Sequence, residues 1–179
     1  MAQPQLLMEL DSLDDLPEVV APPGYAIRTY RDGDSADWCR IISAGIGGEY
    51  DDAGFRRSAA GSSGFDPEGL FFAEKDGVTV GTACAIWDAN YPEDTGYLHM
   101  VAVDPMQRGH GLGRALTLAV LHRFRARGFR RAVLQTDDWR VPALRLYLSL
   151  GFRPRFTHES HQARWRAICE KLGITDPAS

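Results

Sequence analysis

Residues 97–114, Y-L-H-M-V-A-V-D-P-M-Q-R-G-H-G-L-G-R, constrain this chain more than any other stretch. Residues 98–103 read as a buried strand, Asp104 and Pro105 as a turn, and the remainder as a glycine-rich loop that opens into a helix. Gly109, Gly111 and Gly113 alternate just before the helical pattern begins. Glycine lets main-chain N–H groups approach a ligand closely, and a helix N-terminus adds a partial positive charge. Arg108 and Arg114 flank the loop with formal charge. This is a phosphate-binding device, and spacing narrows down which phosphate it takes.

Two common phosphate loops do not fit. A nucleotide triphosphate loop needs Gly-x-x-x-x-Gly-Lys-Ser/Thr, and no Lys-Ser/Thr follows here. A dinucleotide loop needs Gly-x-Gly-x-x-Gly; counting from Gly109 puts Arg114 at the third glycine, and counting from Gly111 puts Leu116 there. The pattern that does fit is Arg-x-x-Gly-x-Gly, at Arg108, Gly111 and Gly113, after a Val-Ala-Val strand and an Asp-Pro turn.

The rest of the chain supplies a mixed α/β pattern. Leu6, Met8 and Leu10 alternate as a strand permits, and an acidic, proline-rich arm follows, broken at Pro17, Pro22 and Pro23. The arm is either a loose terminus or a segment that packs on the domain or on a second subunit. From Tyr25 the chain reads as strand, then helix, with Asp34 or Ser35 as N-cap and Trp38, Ile41 and Ile42 on one face. A glycine-rich piece, residues 45–55, leads to a second helix of uncertain extent. Asp76 and Gly77 mark a tight hairpin between L-F-F-A-E-K and V-T-V-G-T-A-C-A-I-W. After the glycine loop come a helix ending near Gly128, a short strand A-V-L-Q-T, and a helix over 140–151 with Ala143, Leu144, Leu146, Tyr147 and Leu150 inward. A last short strand near 152–156 precedes a helical tail with Ala163, Ile168 and Leu172 in period. Strands alternating with helices, plus one early hairpin, predict a mixed sheet flanked by helices.

At 179 residues the chain is long enough for one full core. The expected division is an N-terminal strand and arm over 1–24 and a single domain over 25–179, whose part from 157 on is helical. A net charge of −4 argues against a general nucleic-acid surface, and the basic run 123–131 reads as a solvated helix face. Cys39, Cys84 and Cys169 are odd in number and widely spaced. With no leader-like segment and no apolar run of membrane length, they suggest a reducing cytoplasm.

A second motif gives the glycine loop its context. A-L-R-L-Y-L-S-L-G-F, residues 143–152, together with the Arg-x-x-Gly-x-Gly loop, resembles the GCN5-related N-acetyltransferase (GNAT) family. Both motifs stand in the family's order, with a helix and a strand between them, and the resemblance covers residues 25 to about 157. It implies a mainly antiparallel central sheet and acetyl-CoA as acyl donor. By that resemblance, Val101, Ala102 and Val103 lie beside the pantetheine arm, and the amides of Arg108, Gly109, His110, Gly111, Leu112, Gly113 and Arg114 wrap the pyrophosphate. Tyr147 faces the departing sulfur: a phenol of pKa near 10 can protonate a thiolate whose conjugate acid has a pKa of about 8.5.

An alkyl amine is only about one part in a thousand neutral at pH 7, so a general base is expected. The resemblance places that role at His99 or Tyr97 on the central strand, with His99 leading and Asp137, Asp138, Glu93 and His158 as weaker candidates. His99 and Tyr147 also have plain readings as core residues. Asp88, Glu93 and Asp94 are candidates to hold a cationic acceptor. Where relatives carry an asparagine before the second motif, this chain has Arg140, which the sequence assigns to a CoA phosphate. The family's final strand is missing, and residues 6–10 are expected to fill that edge, in cis or by exchange between the subunits of a homodimer. His158 and His161 form too sparse a cluster to read as a metal site. The expected activity is acetyl transfer to a primary amine by direct attack in a ternary complex, with no membrane or nucleic-acid partner. A non-catalytic acyl-CoA sensor is the alternative of a different class, and a hydroxyl acceptor is a third reading.

Overall fold

A computed structural model of the chain describes residues 3–60 and 66–175. Seven strands form one sheet: β1 (Leu6–Leu10), β2 (Ala26–Thr29), β3 (Leu70–Lys75), β4 (Val78–Ile86), β5 (Thr95–Val103), β6 (Arg131–Thr136) and β7 (Arg153–Arg155). Their spatial order is β2-β3-β4-β5-β6-β1-β7. Every neighbouring pair is antiparallel except β5–β6, which is parallel. The expected mixed, mainly antiparallel sheet is present. Asp76 and Gly77 turn the β3–β4 hairpin with φ of +50° and +78°, the left-handed pair a two-residue loop needs.

Helix α1 (Ser35–Gly45) and the short α2 (Asp52–Phe55), which runs on into a π-type turn (Arg56–Ala60), pack Trp38, Ile41, Ile42 and Phe55 against Leu70, Phe72, Cys84 and Ile86. Asp34 does stand at the N-cap of α1, but its side chain does not cap the helix. The carboxylate instead accepts two hydrogen bonds from Arg28 (2.6 and 2.9 Å) and one from the Arg31 amide. Helices α3 (Leu112–Ala126), α4 (Val141–Ser149) and α5 (Glu159–Leu172) share a second, larger apolar cluster with β1. In α5 the inward residues are His161, Trp165, Ile168, Cys169 and Leu172. Ala163, expected inside, is exposed. Placing the large indole inward rotates the helix so that the small side chain faces solvent.

The N-terminal strand corrects the sequence reading in one respect. It fills no edge: β1 is inserted between β6 and β7 of its own chain, pairing Met8 with Leu134 on one side and Pro154 on the other. Leu6, Met8 and Leu10 are buried on one face, as their alternation requires. The arm that follows is strapped along α3. The Leu13 amide donates to Arg130 O (3.1 Å), Arg125 to Asp14 O (3.1 Å), and His122 Nε2 lies 2.8 Å from Pro17 O. No helix among the described residues is long and apolar enough to cross a membrane.

Candidate active site

Strand β5 is where the sheet opens. Its pairing with β4 runs to Val103, but its pairing with β6 stops at Leu98. Beyond that point, the edge of β5 turned away from β4 has no strand partner among the described residues. The same stretch contains a bulge: Ala83 of β4 faces two residues, Met100 and Val101, between the pairs Cys84–His99 and Thr82–Ala102. Met100 has φ +53°, a left-handed value rare outside glycine. The extra residue shifts the alternation. Tyr97, Met100 and Ala102 pack with the α1 cluster, while Leu98, Val101 and Val103 belong with the α3 cluster.

The glycine loop follows directly. Asp104 starts a 3-10 turn (Pro105–Gln107) by accepting from the Met106 amide at 2.9 Å. Gly109 and Gly111 take φ of +83° and +84°. Gly111 is the N-cap of α3 and carries no capping side chain, so the first-turn amides are left for a ligand. Leu112 is anchored in the core, which leaves its main chain as the part available to the loop. Arg108 reaches Gly45 O at the end of α1 (3.2 Å), and Arg114 lies 3.5 Å from Ser149 Oγ. His110 is exposed, its Nδ1 3.2 Å from Gln107 O.

Helix α4 carries Tyr147, which is buried in the α3 cluster and edge-on to Phe152 at 5.8 Å. Burial pushes its phenol up to about 12, with the Arg140 guanidinium pulling the other way. Arg140 itself is at the N-cap of α4. It donates to Asp137 (3.1 Å) and to Ile46 O (3.2 Å), and stacks 4.3 Å over the exposed Trp139 ring. An arginine of the glycine loop and one just before the second motif, Arg108 and Arg140, thus hold neighbouring carbonyls at the C-terminal end of α1, where the helix dipole is negative.

On the α1 side, Tyr91, Tyr97 and His99 form a row of tilted rings with centroid spacings of 5.7 and 5.3 Å. Burial depresses His99 to about 4; a hydrogen bond to the Ser58 backbone and the charge of Asp88 oppose this. The imidazole is therefore neutral near pH 7, and the same desolvation makes it a weaker proton acceptor than a free imidazole. Burial drives Tyr97 upward, assisted by repulsion from Tyr91, Asp88 and Tyr147. The weaker base candidates have other work. Asp138 is held by Nε and Nη2 of Arg164 (2.8 and 2.5 Å), Asp137 by Arg140 and Gln5, and His158 caps α5 at the Ser160 amide. Glu93 is exposed, and Asp88 Oδ1 binds the Asn90 amide and side chain. Asp94 Oδ1 accepts from Thr95 at 3.2 Å. His161 is buried in the core. All three cysteines are buried, and burial raises the Cys39 thiol and takes that of Cys84 to about 12, which disfavours either as a nucleophile.

The structure places the glycine loop at the start of α3, His99 in the aromatic row on the α1 side and Tyr147 in the α3 cluster, and turns Arg140 toward α1 and Asp137. Sequence reasoning missed Ser58, Tyr91 and the role of residues 136–140 as a polar hub, because their partners lie far off in the chain. Arg164, for example, also donates to Pro4 O at 2.7 Å.

A mixed sheet that splits beside its one parallel pair, with an uncapped helix N-terminus after the central strand, is the architecture to be compared with known folds. Residues 35–152 match the acetyltransferase (GNAT) family, and the chain belongs to it. Among its relatives is the mycothiol acetyltransferase of Thermomonospora curvata, 39% identical over 160 residues, covering 85% of this chain and 53% of the relative. The mycothiol acetyltransferase of Acidothermus cellulolyticus is 35% identical over 167 residues, covering 83% and 50%. The chain thus spans about half the length of these relatives. A solved GCN5-related N-acetyltransferase from Sphaerobacter thermophilus superposes with a TM-score of 0.68 at 25% identity, over 86% of this chain and 50% of that one.

Proposed function

We propose that the chain is an acetyl-CoA-dependent N-acetyltransferase acting on a small primary amine by direct attack in a ternary complex. The observation that carries this reading is the edge of β5 over residues 99–103, which has no strand partner among the described residues and runs on through the glycine loop into an uncapped helix N-terminus. Those features fit an acyl-CoA. The free edge suits the amides of a pantetheine arm, and the amides of residues 108–114 suit a pyrophosphate. Bound there, acetyl-CoA supplies an activated acetyl thioester.

The remaining chemistry belongs to the chain. His99, partly buried and neutral at pH 7, takes the proton that the amine sheds on attack, directly or through water. Tyr147, whose phenol is held in its protonated form, gives a proton to the leaving sulfur. A main-chain N–H of the bulged stretch stabilises the developing oxyanion. The row of Tyr91, Tyr97 and His99 with Asp88 walls the acceptor side.

The test is release of free thiol from acetyl-CoA with a panel of amines headed by the substrate of the mycothiol acetyltransferases. Amine-dependent thiol release at ordinary enzymatic rates supports the reading. Tight CoA binding without turnover on any amine would instead favour a non-catalytic sensor.

A further inference from the structure

The amides of the phosphate loop have little in the loop itself to hold them. Residues 108–111 are exposed, Gly109 and Gly111 lack side chains, and a Cβ placed on Gly109 would meet nothing within 4 Å. The support comes from the other end of the chain. Residues 22–25, Pro-Pro-Gly-Tyr, form a β-turn closed by the Tyr25 amide on Pro22 O (3.0 Å), with Gly24 at φ +81°. Proline followed by a left-handed glycine fixes such a turn in advance. The turn points Tyr25 at the loop: its hydroxyl donates to Gln107 Oε1 at 2.7 Å, and its ring lies 5.7 Å from that of His110. Pro22 Cγ would lie 3.8 Å from a Cβ on Gly111.

Gln107 is the node of the loop. Its amide donates to Asp104 O (2.8 Å), its carbonyl meets the His110 ring, and its side chain receives Tyr25. Behind the turn, the arm is tied to α3 through Pro17 and Asp14 and ends in β1, inside the sheet.

We propose that residues 22–25 are a strap that holds the phosphate loop in its binding geometry, with Tyr25 as a positioning residue acting through Gln107. The proposal rests on the acyl-CoA reading above and adds a segment that neither family motif contains. A loop held ready before binding avoids the ordering cost of closing around the ligand. Releasing the strap lowers the fraction of loop that is competent, and apparent affinity falls by the same factor.

The experiment compares two ligands by calorimetry: CoA, which carries the pyrophosphate, and S-acetylpantetheine, which lacks it. For Tyr25→Phe, the loss of one hydrogen bond weakens CoA binding about three- to fivefold and leaves S-acetylpantetheine unchanged. Gln107→Met gives the same selective loss, and the double variant adds nothing further, because both remove one contact. A merely structural tyrosine would weaken both ligands alike, and that result overturns the strap. So does a Tyr25→Phe variant that binds CoA as tightly as the unaltered chain. An unaltered chain that binds neither ligand overturns the acyltransferase reading, and the strap falls with it.

Discussion

The edge of β5 that turns toward β6 and the face that turns toward α1 are made from the same nine residues, Thr95–Val103, yet under the proposed function they would recognise by different means. On the proposed donor edge the groups offered are main-chain amides: a strand edge, a glycine loop and an uncapped helix start. On the acceptor face they are side chains, with Tyr97 and His99 from the strand, Tyr91 from the loop before it, and Ser58 from the π-type turn after α2. Backbone recognition restricts which residues are tolerated, since only glycine takes φ near +84° freely. Side-chain recognition restricts only where residues end up. The donor side should therefore respond to changes in backbone freedom, and the acceptor side to changes in chemistry.

The largest effect is expected where the two sides meet. Tyr147→Phe keeps the ring that packs on Phe152 and removes only the hydroxyl. If the phenol is the acid, kcat falls about 100-fold or more while the KM for acetyl-CoA stays put. A Tyr147→Phe enzyme with unchanged kcat would leave Tyr147 as packing alone.

His99→Gln sharpens the comparison from the acceptor side. At pH 7 its kcat/KM for the amine should drop by about 10- to 100-fold without a change in CoA affinity. Stability supplies a second readout. His99 sits near 4 when folded, against an ordinary 6.5, so between those values the unfolded chain holds a proton that the folded chain lacks. Its stabilising share is complete above pH 6.5 and is lost as the pH falls toward 4, at no more than about 1.4 kcal/mol per pH unit. Denaturant melts of His99→Gln across that window should show a shallower slope; an unchanged slope would mean that His99 is not buried as described.

Gly111→Ala probes the donor side. The new methyl group has room, with only Pro22 Cγ near at 3.8 Å, so the penalty lies in the left-handed backbone, about 1 to 2 kcal/mol. Measured by calorimetry, CoA affinity should fall about tenfold, with acceptor KM little altered. If acceptor KM rose equally, the division between edge and face would not hold.

The same contrast explains what could be read from the sequence. The backbone of the glycine loop was legible residue by residue, because Gly109, Gly111 and the Asp104-Pro105 turn are the cheap ways to write it. The β3–β4 hairpin was legible for the same reason at Asp76 and Gly77. The Met100 bulge was not, because a left-handed methionine is held by its neighbours and carries no mark of its own. The alternation of Leu6, Met8 and Leu10 announced a strand but not its slot, since period two fixes which face is buried and says nothing about which strands lie beside it. The hub at residues 136–140 stayed unreadable because its partners, Gln5, Ile46 and Arg164, come from three distant segments.

Arg140 is the residue whose side is least settled by position, and it carries the smallest predicted effect. The sequence assigned it to a CoA phosphate, whereas in the structure its donors engage Asp137 and Ile46 O. Arg140→Lys keeps the charge near Tyr147 but loses the planar fork that spans both partners and the stack on Trp139. Ile46 ends α1 and opens the glycine-rich segment toward α2, so slackening this contact should loosen the acceptor wall. The expected outcome is a two- to threefold rise, approximately, in the acceptor KM, because one partly exposed hydrogen bond of about 0.5–1.5 kcal/mol is weakened rather than removed. CoA affinity should change less than that. Steady-state kinetics in both substrates decides the matter: a larger effect on the donor would return Arg140 to the phosphate, and a larger effect on the acceptor places it with the side-chain half of the site.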